Sequence, residues 1–397
     1  MSHPQTILIA GGGIGGITLA LACLKYGFKV EIFEQAPVLG EIGAGVQISP
    51  AGMRVLDALG LKDRILAECY NPVGREMIVW NTGYRTSTPT RSEDVIARYG
   101  YPHVTMHRAD LHNILVDGLE DNPNVTIHLN AKVAGFEEHG DGVTLHLADG
   151  RKFSGTALVG ADGLHSAVRR QHIGPSKPQF TGGISWRGLI PIETLPEEVR
   201  PKYAQNWVGT NGHFVVYPIR RGELVNIVGH KNRDDWQVES WTTLGTTEEI
   251  SNDFAGWHST IQTLIRAIEK PYKWALFLHP TLQSWSKGRV TLLGDACHPT
   301  LPYLASGANM AIEDGYVLAR CLRHFDGNVE VAFKRYEELR IPRTTDIVNA
   351  SAGNLKRFRH PDLGDPESAK RYVDSEAIEQ RDTREWLFTY DATRVAI

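Results

Sequence analysis

Short apolar runs alternate with longer helical patterns towards both ends of the chain, whereas the middle has strands and no long helix. Thr6 to Ala10 (TILIA) predicts a buried strand. GGGIGG, an apolar helix from about Ile14 to Tyr26 and a strand from Lys29 to Glu34 follow, making a β-α-β unit. Next come a helix over Gly52 to Leu59, a strand over Gly74 to Thr82, and a strand passing into a helix across His103 to Leu115. Asn124 to Leu129 and Gly142 to Leu147 read as paired strands with a turn at Asp149-Gly150, and Ala157 to Gly160 as a further buried strand.

From about Gln179 to Glu269 the strands Gly183 to Pro191, Tyr203 to Val208, His213 to Pro218 and Glu223 to His230 predict an antiparallel sheet. Period-two alternation puts His213, Val215 and Tyr217 on one face, with Phe214 and Val216 on the other. A helix near Ile261 to Ile268 leads back to a buried strand, Val290 to Leu293. A loop stiffened by Pro299 and Pro302 comes next, then a helix from near Gly307 to about His324. Val331 to about Lys356 reads as one or two charged helices. The polar end of the chain is anchored by Trp386, Phe388 and Tyr390.

The predicted fold class is α/β. A Rossmann-like domain is assembled from non-contiguous segments, 1–72 with 98–178 and 270–345. An antiparallel-sheet domain (α+β) takes 73–97 with 179–269, and 346–397 forms a C-terminal helical segment.

The 397 residues are 42% hydrophobic and 22% charged, an ordinary globular composition. A net charge of −4 gives no basic field for nucleic acid or an anionic membrane. Cys23, Cys69, Cys297 and Cys321 are scattered without a C-x-x-C pair, which excludes a redox dithiol motif and suits a reducing cytoplasm. No apolar run is long enough to span a membrane, and the first strand begins too close to Met1 for a signal peptide. His103, His107 and His112 lack the spacing of a zinc helix and read as structural or surface groups.

The chemistry concentrates in five places. Gly11, Gly13 and Gly16 form G-x-G-x-x-G, with Gly15 inside it, and Glu34 closes the second strand. The glycines allow a tight turn and the approach of a pyrophosphate, and the acid is placed for ribose hydroxyls. A second glycine-rich loop, Gly40 to Pro50, contains Gln47 and could lie along a cofactor. Arg108 stands at a strand–helix junction within reach of a phosphate or ring. Asp162-Gly163 opens a loop into a helix carrying Ser166 and Arg169. In Val290 to Asp314, the helix start near Gly307 favours an electron-rich group, Asp295 can accept hydroxyl hydrogens from a sugar or ribityl chain, and Pro302 suits the face of a flat ring.

GGGIGG with Glu34, VGADGLHSAVR and LLGDACHPTLPYLASGANMAIED occur in an order and spacing that resembles the single-component FAD-dependent aromatic hydroxylases, in particular the salicylate hydroxylase-like group. The resemblance runs over nearly the whole chain. It implies bound FAD, with Asp295 holding the FAD chain and Gly307, Ala308 and Asn309 facing the ring. It assigns Arg108 to the flavin side and Asp162-Gly163 to both FAD and NAD(P)H. No second dinucleotide fingerprint is present, so NADH or NADPH is expected as a transient co-substrate docking against the FAD domain.

The implied reaction hydroxylates a phenolic acid such as salicylate with O2 through a flavin hydroperoxide. Alternatives are 3-hydroxybenzoate or a hydroxypyridine carboxylate as substrate or, in another class, a non-oxygenating redox sensor or an oxidase. A monomer or homodimer is expected. His213, with Tyr217 on the same strand face, is the candidate for activating the phenol. A phenol near pKa ~10 and an imidazole near ~6.5 differ by about 3.5 units, roughly 5 kcal/mol. Partial proton transfer through a short hydrogen bond is therefore favoured over full deprotonation. Arg85 and Arg187 are possible partners for a substrate carboxylate, and neither is assigned.

Overall fold

The computed structural model describes residues 5–40, 44–86, 90–175, 177–238, 243–358 and 360–397, with backbone only over 378–383. Its centre is a five-stranded, wholly parallel sheet. The strand order is Val290–Leu292, Ala157–Gly160, Thr6–Ala10, Lys29–Phe33 and Val125–His128. These strands are short apolar runs because both faces are covered. Ile9 faces the helix Ile14–Lys25, whose Gly16 it contacts. Leu8 faces the opposite side, against Gly155 of a three-stranded antiparallel sheet. The helix Gly307–His324 packs along Ile14–Lys25, where Gly315 allows the two backbones to approach closely.

One strand assignment fails. Asn124 to Leu129 and Gly142 to Leu147 do not pair with each other. Val125–His128 edges the parallel sheet, whereas Val143–Leu147 pairs antiparallel with Lys152–Gly155 and with Val133–Glu138. Val133–Glu138 has only partly buried or exposed positions, so its apolar signal is weak.

The second sheet has seven strands, in the order Tyr272–Leu278, Gln179–Pro191, Leu224–Asn232, Gly212–Ile219, Ala204–Gly209, Gly74–Val79 and Thr90–Arg91. It is antiparallel except where Ala204–Gly209 runs parallel to Gly74–Val79. Phe214 and Val216 join Trp186, Trp207 and the helices Thr247–Asp253 and Ser259–Arg266 in one apolar core. The alternate residues His213, Val215 and Tyr217 point to the other side, where the functional cavities lie.

Two predicted boundaries shift. Tyr272–Leu278 belongs to the seven-stranded sheet, because it pairs with Gln179–Pro191, so the chain leaves that sheet after Leu278 and not near 269. The 345/346 boundary falls inside one continuous helix, Val329–Arg357. The last helix, Pro366–Thr389, starts with Asp365 accepting from Ser368 N and with proline in its first turn. It packs against the strand Gly74–Val79 and the helix Pro50–Ala58. Arg220, just after the strand Gly212–Ile219, is held to Asp110 of the helix Arg108–Asp117 by two bonds, at 3.0 and 2.8 Å. Among the described residues no helix is long and apolar enough to cross a membrane, and no cluster suits a metal ion.

Candidate active site

A groove runs between the two sheets, lined among others by Gly13, Gly15, Gly45, Gln47, Arg108, Asp295, Pro302, Gly307 and Ala308. The glycines are fixed by space. Gly11 has φ +106°, and a Cβ there would lie 2.3 Å from the Ala161 carbonyl oxygen. A Cβ on Gly16 would lie 2.1 Å from the Gly11 oxygen. The helix Ile14–Lys25 starts with no side-chain cap and no acid in its first turn, and Gly307–His324 starts the same way. Both helix starts thus leave N–H groups and a positive pole at the groove. A diphosphate and an electron-rich ring fit these two ends, so the residues present suit FAD.

Glu34 accepts from Gly12 N at 2.9 Å and Ala36 N at 2.8 Å, which holds its carboxylate beside the glycine turn. The Gly12 carbonyl is bonded by His112 Nε2 at 2.6 Å, giving that histidine a structural role. Of the second glycine-rich loop, Glu41 to Gly43 lie outside the described residues. Its strand Gly45–Ile48 borders the groove.

Two expected cofactor contacts are used differently. The Asp162 carboxylate accepts from Ser166 Oγ at 2.5 Å and from the N–H groups of Ala167 and Val168, so it starts the following helix. Its neighbours Ala161 and Gly163 line the groove. Burial nevertheless raises the Asp162 pKa, against these bonds. The Asn309 side chain is buried and turned away from the groove. It accepts from Ser49 N at 2.9 Å and donates to the Gln47 and Ala305 carbonyls at 2.9 and 3.1 Å, tying the glycine-rich loop to the helix start.

Behind the Gly294–Ser306 loop lies a buried ionic network. Asp314 receives Arg340 Nε at 2.6 Å on one oxygen and stands 2.5 Å from His298 Nε2 on the other. Burial alone would raise the Asp314 pKa. The neighbouring His298 and Arg340 outweigh it and hold the carboxyl below its ordinary value.

A second cavity adjoins the groove and shares Gln47, Val215, Pro302 and Ala305 with it. It holds about 150 Å³, the size at which a cavity takes one benzene ring. His213 lines it, with its ring centroid 4.3 Å from those of His230 and Phe358 and 5.2 Å from that of Tyr303. Tyr217 lines the groove instead. Four residue steps of strand set the two about 13 Å apart along the backbone, with Val215 between them lining both spaces. Burial pushes the Tyr217 phenol up to about 12, even though Arg187, Gln47, Arg75 and Asn226 pull it the other way. Gly45 is required beside it, since a Cβ there would lie 2.7 Å from the Tyr217 hydroxyl.

Arg75, His103 and Arg384 also line the cavity, although no motif or spacing marks them as site residues. Arg75 stands in a strand whose alternation marks it only as non-core, and Arg384 belongs to the far end of the chain. The arginines singled out from sequence go elsewhere. Arg85 pairs with Glu76, and the Arg187 guanidinium stacks 4.3 Å from the Trp274 ring at the groove edge.

Comparison with known proteins gives the same picture. The family model for the FAD binding domain matches residues 5–351. The chain is 38% identical to 3-amino-4-hydroxybenzoate 2-monooxygenase PtnB3 of Streptomyces platensis, covering 99% of this chain and 98% of that protein. It is 34% identical to 3-hydroxybenzoate 6-hydroxylase of Polaromonas naphthalenivorans, covering 97% and 96%. Klebsiella pneumoniae HpxO, solved with FAD and uric acid, superposes with a TM-score of 0.85 at 25% identity, over 97% of each chain. The groove that suits FAD therefore belongs to a family trait, and this chain is a member of the FAD-binding-domain family of aromatic-ring monooxygenases.

Proposed function

We propose that this protein hydroxylates a single-ring phenolic acid of the hydroxybenzoate type, at the junction of groove and cavity. The observation that carries this is the one-ring cavity sharing the wall of Gln47, Val215, Pro302 and Ala305 with the cofactor groove. Bound FAD, reduced by NADH or NADPH, supplies the activation of O2. The chain supplies the surroundings. Tyr303, Leu387 and Phe388 wall the cavity and keep water away from the ring. His213 takes up a share of the phenol proton, which raises electron density on the ring carbons. Tyr217 stays protonated and offers an O–H to the groove. The start of the helix Gly307–His324 stabilises negative charge beside it. Four free, buried cysteines accord with a reducing cytoplasm as the place of action.

The test is aerobic NAD(P)H consumption with salicylate, 3-hydroxybenzoate, 3-amino-4-hydroxybenzoate and 6-hydroxynicotinate. At least one should stimulate oxidation and yield a product heavier by one oxygen. No stimulation would favour a redox sensor. Peroxide release equal to the NAD(P)H consumed, with no new hydroxyl, would favour an oxidase.

A further inference from the structure

We propose that Arg75 and Arg384 together hold an anionic substituent of the substrate, a carboxylate on the ring, and so fix which ring edge faces the flavin groove. This rests on the proposal that the cavity receives the substrate ring.

Arg75 extends from the strand Gly74–Val79 into the cavity. Its Nη2 donates to Gln47 Oε1 at 2.5 Å and to His103 Nε2 at 2.6 Å. Both acceptors are neutral. Because His103 Nε2 accepts, the imidazole proton sits on Nδ1, which has no partner. Burial, with Arg75 and Arg384 nearby, keeps His103 well below the ordinary histidine range, and hence uncharged. Among the described residues no carboxylate pairs with Arg75. Burial and the like charge of Arg384 lower the Arg75 guanidinium to about 9, so it remains a cation at neutral pH.

Arg384 arrives from the last helix and donates to Thr90 Oγ1 at 2.7 Å. It stands with Thr90 and Phe388 where the cavity meets an outer depression beside the helix Ser92–Tyr99. The cavity's own acid, Glu76, is already engaged by Arg85 and by Gln205 Nε2, and Arg357 is paired with Glu376 at 3.1 Å. Two cations thus converge in a chain whose net charge is −4, which makes the attraction local to the site. A desolvated carboxylate needs such donors, and guanidinium groups match its two oxygens. Gln47 touches Arg75 and also borders the groove. An acid held at Arg75 therefore leaves the ring against Gln47, Val215 and Pro302, at the edge where the two spaces meet.

The experiment is titration of the FAD holoprotein with benzoate and with benzamide, equal in size and different in charge, followed by the flavin absorbance change. Wild type should bind benzoate at least about tenfold more tightly. Arg75→Gln and Arg384→Gln should each bring the two affinities to within about twofold, benzoate losing more than benzamide, and Arg75→Lys should recover part of the preference. Equal affinities in wild type would overturn the assignment, as would a benzoate preference that survives both substitutions. Should Arg75→Gln purify without FAD, the wild-type pair and Arg384→Gln decide. Failure of the proposed function is separable: it appears as absent ring hydroxylation by wild type, whereas this binding comparison needs no turnover.

Discussion

Arg340 Nε lies 2.6 Å from Asp314 Oδ1, and neither side chain has any exposed surface. This pair joins the helix Val329–Arg357 to the helix whose start borders the cofactor groove. Removing Arg340 leaves the buried Asp314 with only His298 beside it and takes from Glu313 one of its two arginines, and breaking a buried pair in this way costs about 3–5 kcal/mol. Arg340→Met should therefore destabilise the protein by that amount, measured as a shift in the denaturant midpoint. A change below about 1 kcal/mol would mean the pair is solvated in solution.

The same carboxylate sets an acid limit. The folded Asp314 pKa lies below its ordinary value of about 3.9. Stability from this group is thus fully present above the unfolded value and is lost as pH falls towards and through the folded one. Unfolding free energy measured from pH 6 down to pH 3 should drop less steeply at the acid end in Asp314→Asn than in wild type, from a lower starting stability.

Gly11→Ala should yield folded protein that loses its FAD. The substitution places a Cβ 2.3 Å from the Ala161 oxygen and forces a side chain onto φ +106°. The backbone must shift where the first glycine turn meets the groove. Absorbance near 450 nm per protein, compared with far-UV circular dichroism, checks this. Full flavin content in the variant would show that the turn is not critical.

Much of this was legible beforehand because local chemistry demanded it. G-x-G-x-x-G sits between an apolar strand and an apolar helix, and the resulting turn has no room for side chains at Gly11 and Gly16. Period-two alternation through His213, Val215 and Tyr217 places all three on the cavity side of their strand. What escaped depended on contacts between distant segments. The resemblance sets Asn309 at the ring with Gly307 and Ala308, yet its side chain bonds Ser49 and Gln47. The resemblance gives Asp162 to FAD and NAD(P)H, and a helix start four residues later takes its oxygens. Arg75 and Arg384 meet only because the last helix folds back over the seven-stranded sheet.

Burial holds the Tyr217 phenol near 12, so it should stay protonated throughout the working pH range. Tyr217→Phe should lower kcat/KM by roughly tenfold, about 1.4 kcal/mol, and leave every pH-rate limb below pH 10 in place. Loss of a limb would assign an ionisation to Tyr217 after all. His213→Ala should cost roughly a hundredfold in turnover at neutral pH and partly recover at high pH, where the phenol ionises unaided. Unchanged turnover at both would remove His213 from the chemistry.

The central claim is that oxygen from O2 is delivered to a single aromatic ring at the junction of groove and cavity. Mass spectrometry of the product formed under isotopically labelled O2, with NAD(P)H and the best phenolic acid of the panel, tests it directly. One labelled oxygen on the ring for each NAD(P)H consumed is the predicted result. An unlabelled hydroxyl, or labelled peroxide with the aromatic acid recovered intact, would contradict it.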